Sequence, residues 1–237
     1  MIHTCNGENQ SAIYINALSK EYECRGRRIA ALTDINLTIP GGERVCVIGK
    51  SGSGKTTLTR MICGIEKPSS GVVELFGENP VELLQHDRRN YSKTIQLVRQ
   101  ESYMTFDPLY TVQDALMRMV TLHQKHIEDR GSKVQYIIDM MERYEMHDLI
   151  PLLRRKPKEL SGGQLQRFAM LRSFLVSPRI VIADEPTAML DLFTTKKMVA
   201  AFACIPEMTT FIYITHSDYL TSALSNRVVR VQNGRCI

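Results

Sequence analysis

Apolar and polar positions alternate over residues 12–39. This predicts antiparallel strands, first at Ile13-Tyr14-Ile15 and later at Ile35-Asn36-Leu37-Thr38-Ile39, with Glu23-Cys24-Arg25-Gly26-Arg27 as a polar turn between them. Pro40-Gly41-Gly42-Glu43 then turns the chain into a short β-branched run, Arg44-Val45-Cys46-Val47-Ile48. Thr57-Leu58-Thr59-Arg60-Met61-Ile62 has helical character, free of Gly and Pro. After the turn Glu66-Lys67-Pro68-Ser69-Ser70-Gly71, the segment Val72-Val73-Glu74-Leu75-Phe76 reads as a strand. Residues 80–89 read as one short helix and Thr94-Ile95-Gln96-Leu97-Val98 as the next strand.

Over residues 111–144 the period changes. Val112, Ala115, Leu116 and Met119, then Val134, Ile137, Ile138 and Met141, fall at i, i+3, i+4, i+7, and Gly131-Ser132 reads as the break between two helices. Methionines crowd this stretch (Met117, Met119, Met140, Met141, Met146), which suits flexible core filling or a surface that repacks against a partner. The change of period marks a helical subdomain inserted between sheet strands. Residues 165–176 form a further helix closed by Ser177-Pro178. Ile180-Val181-Ile182-Ala183 and Phe211-Ile212-Tyr213-Ile214-Thr215 are unbroken apolar runs of the kind found in parallel strands buried on both faces. Residues 227–231 and the turn Gln232-Asn233-Gly234 close the chain as an edge hairpin. The class is α/β.

A length of 237 residues suits one α/β domain, or a core with a modest subdomain. With 43% hydrophobic and 23% charged residues the composition is near the globular average and does not indicate disorder. The net charge of +5 is mild; it suits phosphate ligands or an anionic membrane surface, or serves nothing specific. The densest basic run, Arg154-Arg155-Lys156-Pro157-Lys158, reads as a solvated loop. No segment approaches the ~18–20 consecutive apolar residues that span a bilayer, so any membrane role is expected to be peripheral. Met1-Ile2-His3-Thr4-Cys5-Asn6-Gly7-Glu8 lacks the basic start and apolar centre of a signal peptide, which argues for the cytosol. The six cysteines have no C-x-x-C spacing and read as reduced thiols, with Cys46 and Cys63 in apolar segments.

The chemistry begins with Gly49-Lys50-Ser51-Gly52-Ser53-Gly54-Lys55-Thr56, which fits G-x-x-x-x-G-K-[ST] between a strand and a helix. The glycines turn backbone N–H groups inward around a β-phosphate, and the helix N-terminus that continues through Thr57 adds partial positive charge. Lys55 then reaches the β- and γ-phosphates and the Thr56 hydroxyl ligates Mg²⁺. Tyr22, a strand-end aromatic, either packs or offers its face to a purine ring. Gln100 follows a strand, where ligands sit in open α/β sheets, and is a plausible reporter on Mg²⁺ and water. Ser161 caps the helix after Leu160, while Gly162 and Gly163, beside Gln164, expose backbone N–H groups at its positive end. This is a second anion site, and one account of it is a grip on a nucleotide held by another subunit. Ile180-Val181-Ile182-Ala183 ends in Asp184, placed to hold Mg²⁺, and Glu185, placed to deprotonate an attacking water. Asp191 stands near the start of the following helix. A lone histidine such as His216 is most often structural, yet at a strand end beside a phosphate site its imidazole can bond the γ-phosphate.

In this order Tyr22, residues 49–56, Gln100, Leu160 to Gln164, Ile180 to Glu185 with Asp191, and His216 resemble the A-loop, Walker A, Q-loop, LSGGQ signature, Walker B with D-loop, and H-loop of ABC transporter nucleotide-binding subunits. The resemblance covers nearly the whole chain. It implies a P-loop NTPase (RecA-like) core with an antiparallel β subdomain and an inserted α-helical subdomain. A single ABC ATPase domain over residues 1–237 divides at about 1–98, 99–176 and 177–237.

The finer resemblance is to oligopeptide, dipeptide and nickel importer ATPases. It rests on Val98-Arg99-Gln100-Glu101-Ser102-Tyr103-Met104-Thr105-Phe106-Asp107-Pro108-Leu109-Tyr110-Thr111-Val112 and on Glu159-Leu160-Ser161-Gly162-Gly163-Gln164-Leu165-Gln166-Arg167. Met189, Arg99 and Phe106-Asp107-Pro108 depart from that group's pattern, and its longer members continue past the closing hairpin. The resemblance implies MgATP held between two head-to-tail ATPase subunits, alike or different. It further implies integral membrane permease subunits, indirectly an extracytoplasmic solute-binding protein, no nucleic acid, and a peripheral place on the cytoplasmic face of the cell membrane. A soluble ABC ATPase acting on DNA or ribosomes would carry a long coiled-coil insertion or a second cassette. A P-loop kinase would leave LSGGQ and His216 unexplained.

Overall fold

The computed structural model describes residues 11–24 and 26–237; the N-terminal residues weighed above as a signal segment, Cys5 among them, and Arg25 lie outside the described residues. Strands β1 (Ser11–Cys24), β2 (Arg27–Pro40), β3 (Arg44–Ile48) and β4 (Ser70–Leu75) open the chain, with helix α1 (Lys55–Ile62) between the last two. Helices α2 (Pro80–His86) and α3 (Arg88–Thr94) lead to β5 (Ile95–Val98), then come α4 (Val112–His123), α5 (Arg130–Arg143) and α6 (Gly162–Phe174). The chain finishes with β6 (Ile180–Asp184), α7 (Leu192–Ala203), β7 (Thr210–Ile214), α8 (Asp218–Leu224), β8 (Arg227–Gln232) and β9 (Arg235–Cys236).

Two sheets result. The first is antiparallel with order β2-β1-β4; the second has order β5-β6-β7-β3-β8-β9 and is parallel except for β9. The strict alternation expected of β1 is broken between Ile15 and Leu18, both buried although three positions apart, because Ala17 takes φ 49° and the register with both neighbours shifts there.

Period-two side-chain alternation in the parallel strands divides the interior. Ile180, Ile182, Ile212 and Ile214 face the core shared with α1 and the antiparallel sheet, where Ile13, Leu18, Ile35, Leu58 and Met61 pack. Val181, Ala183, Phe211 and Tyr213 face the opposite core, shared with α4, α5, α6 and α7. Helix α6 is buried along most of its length, from Leu165 to Leu171 and again at Ser173 and Phe174, because it lies between the sheet and the helical segment. Arg167 is 3% exposed and gives two 2.8 Å bonds to Asp148 in the 3-10 turn His147–Leu152, and Lys197 of α7 reaches the same carboxylate at 2.6 Å.

Two element expectations are corrected. The single helix expected over 80–89 is two helices, since Asp87 ends α2 and its side chain caps Asn90 N of α3 at 2.9 Å. Gly131-Ser132 is not the helix break; both lie in the first turn of α5, where Asp129 Oδ1 accepts from Ser132 N at 2.9 Å and sets the start. Asx capping outranks the weak breaking signal of one glycine. Cys46 and Cys63 are buried and unpaired, and burial pushes the Cys63 thiol up to about 12. No helix among the described residues is long and apolar enough to cross a membrane.

Candidate active site

The loop of residues 49–54 leaves β3 and enters α1. Gly54, the N-cap, has φ 110°, and a Cβ there would sit 2.7 Å from the Ala31 carbonyl oxygen, so the loop and β2 can close only on glycine. Lys55 is 6% exposed and its Nζ donates to the carbonyls of Gly49 at 2.7 Å and Lys50 at 3.1 Å. Ser53 Oγ is buried without a hydrogen-bond partner, an orphan donor of the sort that a phosphate oxygen would satisfy. Thr56 is exposed at the first turn.

Parallel pairing brings the remaining chemistry to the same end of the sheet. β3 lies beside β7, and β7 beside β6, so Lys55, His216 and Glu185 all follow the C-terminal ends of adjacent strands. Glu185 takes φ 46°, unusual for a residue with a Cβ and costing about 1–3 kcal/mol. In this conformation its amide still donates to Ile214 O at 3.1 Å while its Oε1 stands 2.8 Å from His216 Nε2. That contact places the hydrogen of His216 on Nε2. Lys55 Nζ, 3.5 Å from the same nitrogen, therefore faces another donor and keeps its loop carbonyls. Burial, and then the neighbouring Glu185 carboxylate, raise the Asp184 carboxyl above its ordinary value, with Lys55 opposing.

Val98 pairs with Ala183, so continuing the register puts Arg99 level with Asp184 and Gln100 level with Glu185. Gln100 is exposed; the carbonyl before it, of Arg99, accepts from Gln166 Nε2 of α6 at 2.7 Å. Tyr22 lies beside α1. Its hydroxyl donates to Glu66 Oε2 at 2.7 Å, and Lys20 Nζ sits 5.1 Å from its ring centroid.

One cavity of about 440 Å³ joins Lys55, Thr56, Thr57 and Glu185 to Ile29 and Asn233. Sequence reasoning missed its β2 wall, Ile29 to Ala31, and its hairpin wall, Asn233 and Gly234. The hairpin turn is tied into the site by Gly234 N donating to Ser53 O at 3.0 Å and Thr33 N donating to Gly234 O at 2.8 Å. The Asn-Gly pair was visible as a turn, but nothing along the chain told which loop it would lean on.

The remaining site residues are not brought to this cavity. Ser161 caps α6 as expected, its Oγ accepting from Gln164 N at 3.2 Å, and Gln164 Oε1 accepts in return from Ser161 N at 2.9 Å, which completes a capping box. None of Ser161 to Gln164 lines the cavities that carry the P-loop. Asp191 caps α7 by accepting from Thr194 N at 2.9 Å and Thr194 Oγ1 at 2.7 Å, and a Cβ on Gly163 would meet Thr194 Cγ2 at 2.7 Å. The chain thus holds the glycine-bearing loop, with Glu185 and His216 at the neighbouring strand ends, in one place. A second helix N-terminus with open backbone, beside Asp191, stands in another.

The sequence profile of the family described as ABC transporter matches residues 32–188. The chain belongs to this family. It is an ATPase of that family, and residues 49–56 and Leu160 to Gln164 are its Walker A and LSGGQ motifs. Among curated relatives, the nickel import ATP-binding protein NikE of Escherichia coli O157:H7 is 31% identical over 214 residues, 88% of this chain and 77% of that protein. The nickel import system ATP-binding protein NikE of Staphylococcus aureus (strain MSSA476) is 30% identical over 208 residues, 87% of this chain and 82% of that protein. Among solved structures, MJ0796, a bacterial ABC transporter cassette described as dimeric, superposes with a TM-score of 0.81 at 26% identity, covering 94% of this chain and 96% of that one. The fold expected from the sequence, a P-loop NTPase core of α/β class, is the fold observed.

Proposed function

We propose that this chain is the ATP-hydrolysing subunit of an ABC importer, and that it works as half of a head-to-tail ATPase pair. The observation that carries the catalytic part is the Glu185–His216 contact of 2.8 Å at the strand ends beside Lys55. A carboxylate held this way is aimed by the imidazole and is close enough to the Walker A lysine to act on a water attacking the terminal phosphate. Walker A, from Gly49 to Thr57, cradles the phosphates, with Ser53 Oγ as one donor. Tyr22 and its cross-strand neighbour Ile29, which is 54% exposed, offer an aromatic and an aliphatic wall for the purine.

The oxygen donors Thr56, Asp184 and Gln100 suit a hard cation such as Mg²⁺. The Asp184 carboxyl, raised by burial and by Glu185, gains from a positive charge there. Bound with the substrate's phosphates, Mg²⁺ supplies charge neutralisation for the transferred phosphoryl group. Ser161, Gly162, Gly163 and Gln164, with Asp191, then complete the site of the opposite subunit, which explains a second helix N-terminus far from the first. The paired subunit is a second copy or a related ATPase chain.

Transport is supported by the surface next to Gln100. Tyr103, Met104, Leu109 and Tyr110 are 61%, 66%, 74% and 47% exposed, and they fit an apolar cytoplasmic helix of a membrane permease. The chain would act peripherally at the cytoplasmic face of the membrane. The NikE relatives support uptake of nickel; the reading extends to a metal chelate or a peptide as cargo, delivered by an extracytoplasmic solute-binding protein. The test is Glu185→Gln. It should bind ATP with an affinity within about twofold of the parent and accumulate as an ATP-bound dimer. Turnover should fall at least a hundredfold. Hydrolysis at the parental rate would remove Glu185 from the reaction.

A further inference from the structure

The motif residues leave one buried polar contact unused. Gln166, two positions beyond the signature, is 2% exposed, and its side-chain amide donates at 2.7 Å to the carbonyl of Arg99, the residue immediately before Gln100. Gln166 lies about 7.5 Å along α6 from the cap Ser161, at 1.5 Å rise per residue. The next residue, Arg167, anchors α6 to the 3-10 turn His147–Leu152 through two 2.8 Å bonds to Asp148. Helix α6 therefore moves with the helical segment. Arg99 lies just beyond β5, level with Asp184, in the strand sheet that carries the reacting groups.

We propose that Gln166 is a positioning residue that couples the Gln100 loop to the signature helix. When nucleotide in the chain's own Walker A site draws Gln100 inward, the adjacent Arg99 carbonyl pulls on Gln166, and the N-terminus of α6 shifts with it. A buried donor that lost its acceptor would pay the full desolvation penalty, so loop and helix move together rather than part. The proposal rests on the shared-site reading of Ser161 to Gln164 for its value to catalysis. The coupling itself lies within one chain.

The test is hydrogen exchange on the full chain with and without Mg²⁺ and a non-hydrolysable ATP analogue, at concentrations where sedimentation shows a monomer. In the parent, nucleotide should change the exchange of residues 99–105 and also of residues 162–165. In Gln166→Leu, which keeps the bulk and removes the amide, and in Gln166→Glu, which replaces the N–H donor by carboxylate oxygen, the first response should persist and the second should vanish. Nucleotide affinity should stay within about twofold, the melting temperature should hardly move, and turnover per pair should drop about tenfold with KM nearly unchanged.

An unaltered response of residues 162–165 in both variants, or none in the parent, overturns the coupling. A merely structural role would instead lower the melting temperature and loosen both segments without nucleotide. Parental turnover per chain that is independent of protein concentration overturns the shared-site reading instead, and leaves the exchange result standing on its own.

Discussion

The Asp148→Ala variant tests how the helical segment is fastened to the sheet. Asp148 accepts two 2.8 Å bonds from Arg167, which is 3% exposed, and a 2.6 Å bond from Lys197 of α7. Removing the carboxylate leaves a buried guanidinium with a carbonyl contact to Glu145 at 3.3 Å and an Nε that already has no partner. Stranding a fully buried charge costs about 3–5 kcal/mol. The Asp148 side chain is 41% exposed, and solvent screens part of the interaction, so about 2 kcal/mol is the working figure. For a chain of this size that is a fall in melting temperature of about 4–8 °C.

The pH dependence has a definite sign. Arg167 first, then Lys197, hold the Asp148 carboxyl well below the usual carboxylate range. A depressed folded-state pKa stabilises above the unfolded value of about 4 and loses that stabilisation as pH falls below it. Scanning calorimetry should therefore show a parent-to-variant gap that is constant between pH 5 and 7 and narrows toward pH 3. A gap below about 1 °C at pH 7, or one that widens in acid, would refute the reasoning.

The proposed purine wall and the buried thiols give two further tests. Tyr22→Ala should weaken ATP binding by about tenfold, the scale of one lost base–aromatic stack, while Tyr22→Phe keeps the ring, loses the Glu66 bond and should bind within about twofold of the parent; calorimetric titration decides, and equal affinities for Ala and parent would dismiss the ring. With the thiol pushed up to about 12 and fully enclosed, Cys63 should stay unlabelled by a soluble maleimide at pH 8, whereas exposed Cys24 reacts; peptide mapping that finds Cys63 labelled in the folded protein contradicts its burial.

Local chemistry was legible where a few consecutive residues decide it. The strand-loop-helix at residues 44–62, the Ser161 cap, and the unbroken apolar runs of β6 and β7 were all read directly, because propensity, cap and burial agree in each. The helix boundaries at Asp87 and Asp129 were misplaced because a single carboxylate cap sets each start, and along a sequence such a cap looks like any polar surface residue. The contact that Gln166 makes carried no signal in the sequence. Its acceptor is a backbone carbonyl 67 residues away, and a carbonyl has no letter in the sequence.

The sequence by itself determined which groups the protein owns: the glycine-bearing loop with Lys55 and Thr56, the carboxylates Asp184 and Glu185, His216, and a second helix start at Ser161. Only the tertiary structure decided where they stand. Parallel pairing of β3, β7 and β6 placed Glu185 within 2.8 Å of His216 and both beside Lys55, because strands in register deliver their C-terminal residues to one edge. The same fold left Ser161 to Gln164, at the start of α6, and Asp191, at the start of α7, outside the cavities of the P-loop. One chain thus carries a P-loop and a second open helix N-terminus that do not meet within it. That separation is a property of strand order and helix packing, set by contacts between residues far apart in sequence.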